Sequence, residues 1–204
     1  MNSVLPAPAS ATLQRIRLIQ AITIGWMGAE AVVSLSAAWM ARSPVLLAFG
    51  GDSAIELLSA AVVYRRFGTK GEETSERLAA RIAGGLLFVL AAYVALIATL
   101  ALLGRGEVRP SPLGIGVLIA AAVVMPLLAR QKRRLSALTA SAALRADATQ
   151  SALCGYLSVI VLAGLVANAF WGITWADPVA ALCLIPLIVR EGWQALQGRP
   201  CDCC

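Results

Sequence analysis

The sequence predicts an all-α integral membrane protein with six transmembrane helices and both termini in the cytoplasm, and three observations carry that prediction. The composition is 59% hydrophobic and only 14% charged, with a mean hydropathy of +0.79. Apolar runs this continuous are out of keeping with a soluble domain of 204 residues, and six segments are long enough, or nearly so, to cross a bilayer. Finally, the basic residues divide very unequally between the two sets of connections.

The first twenty residues, MNSVLPAPASATLQRIRLIQ, place proline and small residues ahead of the positive charges, with no apolar stretch before them. That order argues against a cleaved signal peptide, and residues 1–13 are expected to form a cytoplasmic tail. The predicted spans are 16–41, 44–65, 79–103, 112–129, 144–170 and 175–196. Each is set against about 30 Å of hydrocarbon at about 1.5 Å per residue. The fourth is the shortest and contains Pro126, and the sixth contains Pro186. Neighbouring helices can satisfy the carbonyl that a membrane proline frees. Residues 14–197 therefore form one six-helix membrane domain, and a cysteine-rich tail, 198–204, follows it. No repeat of 20–50 residues is visible.

Orientation follows from the charges. Arg15 and Arg17, then Arg65, Arg66, Lys70, Arg77 and Arg81, then Arg130, Lys132, Arg133, Arg134 and Arg145, and finally Arg190 and Arg199 fall on one side, fourteen in all. Only Arg42, Arg105 and Arg109 fall on the other. The positive-inside rule puts the fourteen in the cytoplasm, whereas five or seven spans would mix the groups. The net charge of +6 is thus mainly a topology signal, and no nucleic-acid partner is needed to explain it. Loops this short and this asymmetric fit a bacterial inner membrane, although a eukaryotic vesicle membrane satisfies the same physics.

Two acids stand out within the second span, Asp52 and Glu56 in AFGGDSAIELLSAAVVY. A carboxylate at the centre of a bilayer costs roughly 2.5–3.5 kcal/mol. Residues i and i+4 share a helix face, so both carboxylates can reach one cation. The arginines that the predicted spans include, Arg17, Arg65, Arg81, Arg145 and Arg190, lie toward their cytoplasmic ends, so no counter-ion is expected beside the pair. The fifth span, LRADATQSALCGYLSVIVLAG, places Asp147, Gln150, Ser151 and Cys154 at i, i+3, i+4 and i+7, on one face. A carboxylate and a thiolate are good ligands for Zn²⁺ and similar ions, and four donors from two helices suit tetrahedral coordination.

Each of these residues also has a plainer role open to it. Gln150 either offers an oxygen or hydrogen-bonds across helices. Asp147, just after Arg145, is a ligand, a gate residue or a helix-start acid. A cysteine such as Cys154 is by itself more often an inert buried thiol, and its face raises it to a candidate ligand; Cys183 stays inert. Ser151 and Glu30, the acid of the first span, are accessory or proton-relay candidates, Glu30 with no partner to be named. Asp177, before Pro178, has a structural explanation at a helix N-terminus. Cys201, Asp202, Cys203 and Cys204 either capture a soft metal or form an incidental tail, reduced in the cytoplasm. The absence of histidine excludes bis-histidine haem, histidine-box di-iron sites and a serine-hydrolase triad, so neither an enzyme nor a resident cofactor is expected.

Three segments resemble motifs of the cation diffusion facilitators, membrane exporters of divalent metals. SPVLLAFGGDSAIELLSA is similar to the second-helix form S-x-A-L-L-A-D-x-x-H/D-x-x-x-D, with Asp52 and Glu56 at the ligand positions. ADATQSALCGYLS is similar to the fifth-helix form A-D-A-x-H/D-x-x-x-D-x-x-x-S, with Gln150 and Cys154 at the ligand positions, Asp147 on the preceding acid and Ser158 on the closing serine. TWADPVAALCLIPLIVREGWQAL opens like the sixth helix of that family. The likeness spans residues 14–197, and it departs from the family where Gln150 and Cys154 replace the usual histidine or aspartate.

What the resemblance implies is a secondary transporter that exports a divalent cation, Zn²⁺ or Cd²⁺ foremost, by alternating access between the second and fifth helices. Protons and metal compete for close carboxylates, which makes proton exchange the natural coupling. Typical members continue into a cytoplasmic metal-binding domain where only QGRPCDCC stands here, so a homodimer is expected to rest on membrane helices and loops. The alternatives are a non-transporting metal sensor or assembly partner, and an importer of soft metals such as Hg²⁺. The importer is disfavoured because paired carboxylates are hard ligands.

Overall fold

In the computed structural model, residues 10–66, 73–105, 108–139 and 142–197 are described, and all regular structure among them is α-helix. The order is α1 (Ser10–Ala41), α2 (Pro44–Arg66), α3 (Glu73–Leu102), α4 (Pro112–Thr139), α5 (Ala142–Trp171) and α6 (Ala176–Gln197). Five stretches, Gln14–Ala41, Arg81–Leu102, Pro112–Leu138, Asp147–Trp171 and Ala176–Gln197, are long and apolar enough to cross a membrane. The remaining helix, α2, bears Asp52 and Glu56, and its 23 residues reach about 34 Å.

The same local device starts two of the helices. Ser43 and Ser111 each precede a proline, Pro44 and Pro112, at the first helical position. Their hydroxyls accept hydrogen bonds from the N3 amides, Leu46 at 3.2 Å and Gly114 at 3.1 Å. Serine at the cap and proline at N1 are each favoured there because the first amides lack intrahelical partners. Gly104 and Gly172, with φ of 74° and 64°, end α3 and α5 in the left-handed conformation that glycine adopts without a Cβ clash.

Helices α1 and α2, α3 and α6, and α4 and α5 pair most extensively, and α2 also touches α3, α5 and α6. The interior is rich in small side chains, among them Ala37, Ala48, Ala91, Ala98, Ala121 and Ala181, while Val32, Val89, Leu96, Val123 and Trp193 face outward. That distribution suits a lipid surround, where helices associate by close packing and not by hiding apolar surface from water.

One predicted boundary needs correcting. The sequence ends the fourth span at 129, and the helix runs on to Thr139. Arg, Gln and Lys are good helix formers, so the segment RQKRRL continues α4 where a hydropathy pattern stops. The extension turns Lys132 inward until its side chain is wholly buried, which corrects the expectation that Lys132 belongs to a cytoplasmic connection. Pro126 and Pro186 both lie within continuous helices.

Candidate metal centre

Asp52 and Glu56 occupy one face near the middle of α2, and the sequence seats that face deeply. A Cβ on Gly50 would stand 2.9 Å from Ser34 Cβ and 3.0 Å from the Leu35 amide nitrogen, so glycine is what lets α1 and α2 approach here. On the far side, Gly84 of α3 packs against α6, where a Cβ would lie 2.7 Å from the Gly192 carbonyl oxygen. This close crossing carries the residue before Gly192, Glu191, toward α2.

Asp52, Glu56 and Glu191 offer one carboxylate oxygen each, all within 4.8 Å of one another. Asp52 is 3% exposed, and its Oδ1 accepts no hydrogen bond from any described residue. Its carboxyl lies within hydrogen-bond reach of Glu191. Gln150, on α5, donates through Nε2 to Glu56 Oε1 and is also within reach of Glu191. Two carboxyl groups this close are held together either by a shared proton or by a cation.

The other residues singled out in the sequence sit in two separate networks. Cys154 is buried, and its Sγ donates to Glu30 Oε1 at 3.5 Å, outside the three-carboxylate group. Glu30 is 1% exposed and finds its partners here: Ser53 Oγ donates to Oε1 at 2.7 Å and Trp26 Nε1 to Oε2 at 2.8 Å. Asp147 is outside the three-carboxylate group and bonds elsewhere. Lys132 Nζ donates to its Oδ1 at 2.9 Å and to Ser151 Oγ at 2.9 Å, and Gln20 Nε2 donates to its Oδ2 at 2.7 Å. Cys201, Asp202, Cys203 and Cys204 lie outside the described residues.

Glu191 is the residue that sequence spacing passed over. Its signal was present: it stands seven residues after Leu184 and three after Ile188, both buried, along the inward stripe of α6. The adjacent Arg190 made the pair look like the charged end of the span. Asp177 is buried as well, but it serves α2 and not its own helix, accepting hydrogen bonds from Ser43 Oγ and from the Val45 amide at 3.1 Å.

Residues 21–197 match the family described as the cation efflux transmembrane domain, which takes in every residue of the three networks except Gln20. No curated protein matches the chain.

Proposed function

The chain belongs to the cation efflux family, and from that premise we propose that it exports a divalent metal cation by alternating access, in exchange for protons. The observation that carries the reading is the convergence of Asp52, Glu56 and Glu191 within 4.8 Å, inside a bundle of apolar helices. Three carboxylates in so small a volume repel one another unless protons or a cation compensate them. A divalent ion that enters displaces protons, and protons that return expel the ion, so binding and release are coupled by chemistry.

The basic end of the bundle faces the cytoplasm on the positive-inside argument, in a membrane such as the bacterial inner membrane. Two copies pair through their membrane helices. For Zn²⁺ or Cd²⁺, the ions expected from the sequence, a thiolate ligand is available only if Cys154 leaves Glu30 and turns toward Asp52.

The test is metal flux into proteoliposomes with Zn²⁺, Cd²⁺, Fe²⁺ and Mn²⁺ under an imposed pH gradient, with wild type beside Asp52→Asn. Flux of at least one ion, dependent on the gradient and lost in the variant, is the expected result. Binding without flux under any gradient would replace the transporter with a metal sensor.

A further inference from the structure

Resting on the transporter reading, we infer that the cargo is a hard, oxygen-preferring divalent cation of the Mn²⁺ kind, held by Asp52, Glu56 and Glu191. On this inference α6, and not the thiol of α5, supplies the third ligand. Two independent observations point there. One is the geometry of the carboxylates, which leave the buried Oδ1 of Asp52 without a hydrogen-bond partner among the described residues. The other is where Cys154 points: its sulfur is turned to Glu30, and the Glu30 carboxylate is in turn anchored by Trp26 and Ser53.

The donor set that remains is all oxygen. Three carboxylates bring six oxygens between them, and the Gln150 amide adjoins Glu56. Carboxylate, carbonyl and water oxygens suit Mn²⁺ and its hard neighbours, whereas thiolates select softer ions. Zinc sites in proteins draw mostly on cysteine and histidine, with carboxylates beside them, and this chain has no histidine. A ligand on α6 also has a mechanical consequence. The cargo then bridges α2 to the α3–α6 pair, so the movement that opens the site must part those elements.

The experiment uses the full-length protein in lipid nanodiscs and follows free Mn²⁺ by electron paramagnetic resonance. It compares wild type, Glu191→Gln, Glu191→Asp and Cys154→Ser. Wild type and Cys154→Ser should bind Mn²⁺ alike, while Glu191→Gln weakens binding about tenfold or more, in the range seen for lost support at metal sites. Glu191→Asp, which keeps the carboxylate, should retain most of the affinity and so separate ligation from folding. Added Cd²⁺ should give no thiolate charge-transfer band in the ultraviolet that differs between wild type and Cys154→Ser. The inference is overturned by no Mn²⁺ binding in wild type, by full binding in Glu191→Gln, or by a cadmium–thiolate band that Cys154→Ser abolishes. The first and the last of these readouts decide the matter even if a Glu191 variant fails to fold. Flux separates the two readings: Cd²⁺ flux lost in Cys154→Ser would sink this inference alone, and intact Mn²⁺ binding without any flux would sink only the transporter.

Discussion

Lys132 of α4 lies 2.9 Å from Asp147 of α5, and its side chain is entirely buried. Gln20 of α1 bonds the same carboxylate and Ser151 bonds the lysine, so a single ion pair ties three helices together. Removing one partner of a buried pair costs about 3–5 kcal/mol, because the other charge is left uncompensated. Asp147 is 32% exposed, so the low end of that range applies. Lys132→Met is expected to be about 3 kcal/mol less stable, and Lys132→Met with Asp147→Asn should recover most of the loss. Thermal unfolding of the single and double variants in detergent checks this, and a double variant no better than Lys132→Met would show that the pair is not the source of the cost.

Gly84 and Gly192 set how closely α3 and α6 cross, and Glu191 is the neighbour of the second. In Gly84→Ala the new Cβ meets a backbone oxygen at 2.7 Å, which only separation of the helices relieves. Overpacking of this kind costs about 1–3 kcal/mol, and it should weaken Mn²⁺ binding without touching a ligand. Gly85 has nothing within 4 Å of its Cβ direction. Gly85→Ala is therefore expected to bind Mn²⁺ as wild type does and to gain up to about 1 kcal/mol from helix propensity. Equal behaviour of the two alanine variants in a Mn²⁺ titration would remove the link between this crossing and the site.

The helices were legible in the sequence because each announces itself locally. Apolar runs mark the spans, and the structure adds the Ser43–Pro44 and Ser111–Pro112 starts and the Gly104 and Gly172 stops at their ends. The pairing of Asp52 with Glu56 is equally local, since i and i+4 share a face on any helix. What was not legible is how each helix is rotated against its neighbours. Asp147 and Gln150 share a face of α5, yet one meets Lys132 and the other Glu56. Spacing within α5 cannot foretell that division, because it depends on α4 continuing past the apolar run and on where α2 sits. Glu191 was hidden for the same reason: its partners lie on α2, and only the α3–α6 crossing brings it to them.

Asp177 should matter for stability and not for cargo. It is buried at the start of α6 and accepts hydrogen bonds from Ser43 and the Val45 amide, closing the start of α2 from outside. Asp177→Ala strands both donors, at about 1–3 kcal/mol for each buried group left unsatisfied. Asp177 is fourteen residues from Glu191, about 21 Å along a helix, so Mn²⁺ affinity in the folded variant should match wild type. A lower unfolding temperature with unchanged binding is the expected pair of results. Loss of binding at full stability would make Asp177 part of the transport path.

Glu30 offers the sharpest choice between a structural and a transport role. Its Oε1 accepts from Ser53 and Cys154, and its Oε2 from Trp26. It also borders an open groove of about 360 Å³ between α1 and α4, lined in part by Trp26, Leu113 and Gly116. Glutamine keeps one accepting oxygen for Ser53 and Cys154 but turns an amide donor against the Trp26 N–H. That donor–donor conflict should cost Glu30→Gln about 1–3 kcal/mol. Adding Trp26→Phe removes the opposing donor and should restore the stability. If Glu30 only organises the helices, metal flux recovers together with stability in the double variant. If it carries protons to or from the carboxylates, stability returns while pH-driven flux stays low, because the glutamine amide cannot take up and release a proton. Measuring unfolding temperature and gradient-driven flux on the same two preparations separates the outcomes.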